Sequence, residues 1–356
     1  MKLTTDLRSI DPQKNRQFLK RVSQMFSALK KGRKEVQPSR MWEELNEKGM
    51  EFLKEYGYEN FKRTMVRHYF ANTPLYMMNK QIVFLILHLN PIVTVSSFIR
   101  SILLPVYRPF NRIDAAGFNF ITFLIWEYTK MIDKKGDLAG FSEPTVGNPP
   151  PLYQGKTLIS QDIANSWLEY RAIYDSISEK MTSNVLELGA GSGRNAYMTL
   201  KMNRYIRKYI IVDIPPALAV AEQYLTDIFP KKKIFRYRQF KSFKDISGEF
   251  KDAEILFFLP SQIELLPNEI VDLSINISSL HEMRQEQIQY YFDQIARLTR
   301  KKGYFYFKQW KVGWILQENT CIRVDDYPIK PKWKSIYLRE ARVQTKFFEQ
   351  LLQKTS

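Results

Sequence analysis

The stretch Asn184–Tyr205, NVLELGAGSGRNAYMTLKMNRY, decides the fold. It reads as a short apolar strand, a turn carrying Gly189, Gly191 and Gly193, and then a helix. Alternating glycines let the chain turn sharply out of a strand, and without a Cβ they let a ligand approach the backbone. The spacing is G-x-G-x-G with Arg194 next, so the third glycine of the dinucleotide pattern G-x-G-x-x-G is missing. A pyrophosphate is therefore a poor fit. Glu187, two places ahead of Gly189, would repel one and favour an ammonium group, directly or through water.

Twenty residues after Gly193 the second strand, YIIVDIP, ends in Asp213. A carboxylate at that position can accept both hydroxyls of a ribose, as in nucleotide-binding βαβ units. S-adenosylmethionine offers a ribose, an ammonium and a sulfonium. E-x-G-x-G-x-G after an apolar strand, with an acid ending the next strand, predicts a class I S-adenosylmethionine-binding α/β fold. The alternative is a nucleotide-binding or vestigial Rossmann-like domain.

Further out, Glu254–Leu259 forms a third strand that places Ser261 and Gln262 where they can meet the adenine edge. Val271 opens a fourth strand, VDLSINIS, whose Asn276 joins the cofactor-binding set. Gly303–Trp310 is the fifth, and a hairpin between about Lys332 and Phe348 completes a seven-stranded, mostly parallel sheet. The basic stretch 230–253 reads as an insertion exposed as a surface loop, with substrate contact as the alternative. Ligands of open α/β sheets lie beyond the carboxyl ends of the strands, so the turn after the fourth strand faces the transferable methyl. There His281, the only histidine in this half of the chain, is the candidate general base, and Glu282 is the other. Structural packing is the competing fate of a lone histidine.

The whole chain has 356 residues, 44% of them hydrophobic, enough for a large core and incompatible with a wholly disordered chain. One cysteine, Cys321, forbids an internal disulfide and points to a reducing compartment. With only His68, His88 and His281 beside it, a Cys/His zinc site has too few ligands. Asp325-Asp326 reads as a solvated pair, and no metal is expected. Fifty-four Lys and Arg against 37 Asp and Glu give a formal charge of +17, which favours polyanionic company.

Residues 1–155 are predicted to be a helical, basic and apolar cap, and 156–356 the methyltransferase domain, with the breaker-rich loop Gly136–Gly155 before the boundary. The first 40 residues hold eleven Lys or Arg against three Asp or Glu. Within them Phe18, Leu19, Val22, Met25, Phe26 and Leu29 form the stripe of an amphipathic helix with a basic back. It is read as docked on its own protein, with contact to anionic membrane through residues 12–34 as the sharper alternative. The apolar run Ile82–Ile99 is long enough to span a bilayer but carries His88, Asn90 and Pro91. Buried helices of a substrate-binding cap, broken at Asn90-Pro91, are expected there. The N-terminus lacks the apolar run of a secretory signal, so the protein is expected to start near Met1 and to be cytoplasmic, with the inner face of the plasma membrane as a peripheral site.

GNPPPLYQGKTLISQDIANSWLEYRAI (Gly147–Ile173), then VLELGAGSGR, VDIPPALAVAEQYL, FLPSQIELLP and NISSLHEM, resemble the sugar O-methyltransferases found among surface-polysaccharide biosynthesis proteins. The resemblance runs from about Gly147 to Leu352. Its more specific parts are Ile159-Ser160-Gln161-Asp162 with Asn165-Ser166, and Asp213-Ile214-Pro215-Pro216. It implies methyl transfer to a hydroxyl of a sugar in a glycan or its precursor, nucleotide-linked or lipid-linked. It also implies that Gln161, Asn165, Glu169 and Tyr170 lie near the acceptor. From the residues alone that segment is an amphipathic helix with Ser160 as its N-cap, whose polar residues need be no more than surface. The acceptor is expected to enter between cap and sheet, where Tyr170 and Trp310 can stack on a sugar face. Rival functions are an RNA methyltransferase, a small-molecule O-methyltransferase, and a non-catalytic scaffold with the same fold. No series of basic and aromatic residues marks an RNA-binding sheet, so nucleic acid is not the expected partner.

Overall fold

The computed structural model describes residues 3–66, 75–315 and 319–355; His68 lies outside them. The chain begins with helices α1 (Pro12–Leu29), α2 (Arg40–Tyr56), α3 (Leu75–His88), α4 (Pro91–Leu103) and α5 (Arg112–Ile132). A small hairpin, β1 (Tyr153–Gln154) and β2 (Thr157–Leu158), leads into α6 (Gln161–Tyr174). Alternation then sets in with β3 (Asn184–Leu188), α7 (Arg194–Met202), β4 (Lys208–Val212), α8 (Ala217–Ile228), β5 (Ile234–Phe235), α9 (Ser247–Asp252) and β6 (Ile255–Phe258). It continues through β7 (Val271–Ile277), α10 (Gln285–Leu298) and β8 (Thr299–Trp310). The chain closes with two hairpins, β9 (Val312–Ile315) with β10 (Thr320–Arg323), and β11 (Trp333–Glu340) with β12 (Phe347–Lys354).

Two compact units result. One comprises Met1–Arg16, Gly49–Arg171 and Arg342–Thr345; the other comprises Gln17–Lys48, Ala172–Ala341 and Lys346–Ser356. Residues 17–48, most of the basic N-terminal segment, thus belong to the unit that holds the sheet.

That unit is a Rossmann-like open sheet in the order β11-β12-β8-β7-β3-β4-β6-β5. Six strands run parallel from β5 to β8, and β12 pairs antiparallel with β8. Central strands covered on both faces need continuous apolar runs, and Tyr209–Val212 and Ile255–Phe258 are buried throughout. The strand order reverses at β3, so the crevice beyond its carboxyl end is where a ligand belongs. Among the described residues the sheet has eight strands, not seven. The extra one, β5, lies inside the stretch 230–253 that the sequence reading assigned to an exposed loop. Its charges conceal Phe235, Tyr237, Ile246 and Phe250, all buried.

Helix α1 turns half of its apolar stripe into the fold, while Phe18, Leu19 and Phe26 stay half-buried. Val22, Met25 and Leu29 are buried, and Arg21 forks onto Glu222 with two contacts of 2.8 Å while donating to Tyr237 O. The segment beyond it runs past the carboxyl ends of the strands. Arg33 pairs with Glu264 at 3.0 Å, Arg284 donates to Lys34 O, and Gln287 donates to Gln37 O.

In the helical unit α3 and α4 pack on α5, with Phe84 edge-on to Tyr128 and Phe98 edge-on to Phe120. The break between α3 and α4 falls at Asn90-Pro91, and the Asn90 side chain caps α4 by accepting from Ile92 N. The expectation that this stretch is buried fails: Leu87 and Ile92 are 76% and 78% exposed. Among the described residues no helix is long and apolar enough to cross a membrane. Ser160 caps α6 as the sequence suggests, its Oγ accepting from Ile163 N at 3.0 Å.

Candidate active site

The turn from β3 into α7 holds all three glycines in the left-handed region, with φ of 74° at Gly189, 58° at Gly191 and 82° at Gly193. They differ in what surrounds them. A Cβ on Gly189 would sit 2.5 Å from Ser279 Oγ, so that glycine is required by packing. A Cβ on Gly191 would meet nothing within 4 Å. The middle of the turn is thus bare backbone facing open space on the Cβ side of Gly191.

Asp213 stands beside it. Its Oδ2 accepts from Gly191 N at 2.7 Å and its Oδ1 from Ile214 N at 2.7 Å, which leaves each oxygen a second lone pair. Burial pushes this carboxyl up to about 7, against the two backbone N–H groups, which pull it down; the charge of Glu187 pushes it up further. Two oxygens fixed by the glycine turn can take the two hydroxyls of a ribose.

The other polar residues assigned to the cofactor are largely committed to the protein itself. Glu187 is buried, accepting from Asn195 Nδ2 at 3.2 Å and from the Tyr209 hydroxyl at 2.7 Å. It braces β3 against α7 and β4. Gln262 accepts from Leu259 N and donates to Arg238 O, closing the turn after β6. Ser261 Cβ lies 3.4 Å from where Gly32 would carry a Cβ, so the segment after α1 passes directly over it.

Asn276 is fully buried at the end of β7 and belongs to a chain of amides that ends at His281. Its Nδ2 donates to Leu188 O at 2.9 Å and to Ser279 Oγ at 2.6 Å, and its Oδ1 accepts from Gln309 Nε2 at 2.5 Å. Gln309 Oε1 accepts from the His281 backbone N–H at 3.2 Å and lies 2.8 Å from His281 Nδ1. Leu188 O can only accept and the His281 backbone N–H can only donate, so both amides are oriented from the ends inward. Nδ1 therefore carries the proton of the neutral ring, and Nε2 keeps its lone pair.

That lone pair is buried with no hydrogen-bond partner, 3.5 Å from Glu282 Oε1. The ring stacks on Trp310 with centroids 4.6 Å apart, so one face of Trp310 is taken. Glu282 is itself held, its Oε2 accepting from Trp42 Nε1 at 3.1 Å. Gln309 and Trp42 were not foreseen as parts of the site. A glutamine at the end of a strand and a tryptophan far away in sequence give no local signal.

The residues expected at the acceptor fall in the helical unit, on α6. Gln161 donates to Thr122 Oγ1 at 3.2 Å, and Asn165 has a buried Oδ1 without a hydrogen-bond partner. Glu169 is buried and Tyr170 fully so, which leaves Tyr170 no face for a sugar. Its aromatic bulk is core.

No protein-family model matches the chain, and no curated protein matches it by sequence. Solved structures do. An S-adenosylmethionine-dependent methyltransferase from Aquifex aeolicus is 12% identical over 64% of this chain and 98% of its own, with a TM-score of 0.35. One from Leishmania major is 13% identical over 53% and 72%, with a TM-score of 0.38. Phosphoethanolamine N-methyltransferase 1 of Haemonchus contortus, solved with phosphoethanolamine and S-adenosylhomocysteine, is 10% identical over 53% and 42%, with a TM-score of 0.35.

Proposed function

We propose that the protein is an S-adenosylmethionine-dependent O-methyltransferase whose acceptor is a hydroxyl of a sugar in a glycan or glycan precursor. The observation that carries the cofactor is the pairing of Asp213 with Gly191: a carboxylate with spare lone pairs, tied to a left-handed glycine whose Cβ side is open. S-adenosylmethionine, when bound, supplies a methyl group on a positively charged sulfur. Asp213 would hold the ribose and the turn 189–193 the methionine part. Glu187 acts by holding Asn195 and Tyr209 in place.

A sugar hydroxyl is too weak an acid to give up its proton unaided near neutral pH, so transfer to it benefits from a base. His281 Nε2 is the group prepared for that role. Nε2 would take the hydroxyl proton, and the new N–H would then face Glu282 Oε1, 3.5 Å away. Gln309 is a positioning residue that keeps Nδ1 the protonated nitrogen. Because His281 is 1% exposed, the acceptor reaches Nε2 only when its cover moves. The surplus of positive charge suits a phosphate-bearing acceptor, and the resemblance of the 147–173 segment to sugar O-methyltransferases supports the sugar.

Transfer of labelled methyl from S-adenosylmethionine to nucleotide sugars, lipid-linked sugars and glycan fragments tests the assignment, with structured RNA as the rival acceptor. Label in a sugar fraction, lost in His281→Ala, supports it; label in RNA alone overturns the acceptor.

A further inference from the structure

Helix α4 is built inside out. A helix on the surface of a protein in water turns apolar residues inward and polar ones outward. In α4 the buried positions include Ser97 and Ser101, with the Ser101 hydroxyl bonded to the carbonyl of Ser97. Ile92, Val95, Phe98, Ile99, Ile102 and Leu103 are exposed, Ile92 and Leu103 by 78% each. They recur at intervals of one, three or four and fill a single face. Helix α3 adds Val83, Ile86 and Leu87, also exposed and also at helical spacing. Exposed apolar faces of this kind are binding surfaces.

The charge beside it says what binds. Between Glu59 and Asp114 the chain has no acidic residue at all. Lys80, Arg108 and Arg112 are exposed in that interval, and Ile113 beside Arg112 is 84% exposed. An apolar face on a stretch of chain that carries exposed cations and no acid before Asp114 complements an anionic lipid surface, where side chains enter the acyl boundary and cations meet headgroups. A two-fold pairing of this face with a second copy would instead set cations against cations on a chain of charge +17. Neither helix is long and apolar enough to span a bilayer, so the helices would lie in the interface.

We propose that the α3–α4 face docks the protein on an anionic membrane surface. In helix α1, by contrast, Val22, Met25 and Leu29 are buried and Phe18, Leu19 and Phe26 are half-buried. The inference stands independently of the methyl transfer proposed above.

Sedimentation of the full chain with vesicles of equal parts phosphatidylglycerol and phosphatidylcholine tests it, beside vesicles of phosphatidylcholine alone. Binding to the mixed vesicles is expected, weaker on phosphatidylcholine alone, and reduced roughly tenfold or more in the Ile92→Glu/Leu103→Glu double variant, because two inserting side chains are lost. Both positions are exposed, so the thermal transition is expected to stay near that of the parent. Should that variant misfold, Leu87→Asn/Val95→Asn is expected to show the same loss. No sedimentation of the parent overturns the proposal. So does equal binding by folded variants, which would assign the contact to the basic back of α1. A concentration-dependent dimer in ultracentrifugation, abolished by the same substitutions and without vesicle binding, would give the face to a second copy.

Discussion

His281 Nδ1 lies 2.8 Å from Gln309 Oε1, and the amide that receives it is oriented by Asn276, which is in turn anchored to the carbonyl of Leu188. The polarity of that chain starts at the end of β3, one residue before the glycine turn, and ends at the imidazole. The glycine turn and the candidate base therefore share one buried network, and the tautomer of His281 is set from the strand that leads into that turn.

The fixed tautomer is directly observable. In the 15N spectrum of histidine-labelled protein, the neutral ring of His281 is expected to show a protonated Nδ1 and an unprotonated Nε2. Gln309→Leu removes the acceptor and should allow the other tautomer to appear. If Nε2 carries the proton in the parent, the amide chain runs the other way and His281 cannot act as the base.

Turnover should separate from binding along the same chain. His281→Ala and Gln309→Leu are expected to lower kcat by roughly ten- to ten-thousandfold, the larger loss in the first, with the affinity for S-adenosylhomocysteine little changed. A fall in cofactor affinity equal to the fall in kcat, seen by calorimetry, would make the network purely structural.

Cofactor binding should depend on pH through Asp213. Burial lifts its carboxyl to about 7, and only the ionised form leaves both oxygens as acceptors for ribose hydroxyls. Affinity for S-adenosylhomocysteine should therefore rise as pH rises through about 7, and the dependence should flatten in Asp213→Asn. Stability moves the opposite way. A carboxyl raised in the folded state contributes stability that is fully present below its unfolded value of about 4 and is lost as pH rises through about 7. Asp213→Asn should then gain on the parent by on the order of a few kcal/mol between pH ~4 and ~8, read from urea melts at each pH. Parallel pH profiles for the two proteins would place the shift elsewhere.

The glycines should separate by function. Gly189→Ala forces a side chain onto Ser279 at a left-handed position and should cost about 2–4 kcal/mol in urea denaturation. Gly191→Ala should cost only the left-handed strain, about 1–2 kcal/mol, yet weaken S-adenosylhomocysteine binding, because its Cβ would enter the open side of the turn. Equal effects of the two on binding would mean that Gly191 does not face the ligand.

Helix α1 should behave as core. Met25→Ala removes a fully buried side chain and is expected to lower stability by about 2–5 kcal/mol. A change below about 0.5 kcal/mol would mean that the helix detaches in solution.

Much of this was legible in the sequence because the signals are local. The run from Val185 to Gly193 and the acid closing the second strand fix strand, turn and crossover, and Asn90-Pro91 fixes a helix boundary. The polar residues at the strand ends were harder to read. Glu187, Gln262 and Asn276 have the right positions for ligand contacts, but sequence does not say whether such a side chain points at a ligand or at a neighbouring element, and here each bonds to its own fold. The strand β5 was hidden by the charges around Phe235. The path of residues 30–42 over the sheet is set by side chains meeting distant backbone carbonyls, as Arg284 meets Lys34, and such contacts leave no periodicity behind. Helix α4 misleads in the other direction: its apolar residues read as buried in the sequence, while in the structure its serines face in.

The central claim is that Asp213 and the glycine turn hold S-adenosylmethionine. Calorimetric titration of the full chain with S-adenosylhomocysteine tests it most directly, beside NADH and the Asp213→Ala variant. Saturable binding of S-adenosylhomocysteine alone, lost or weakened at least about tenfold in the variant, is the expected result. Binding of NADH instead, or S-adenosylhomocysteine binding that Asp213→Ala leaves unchanged, would contradict it.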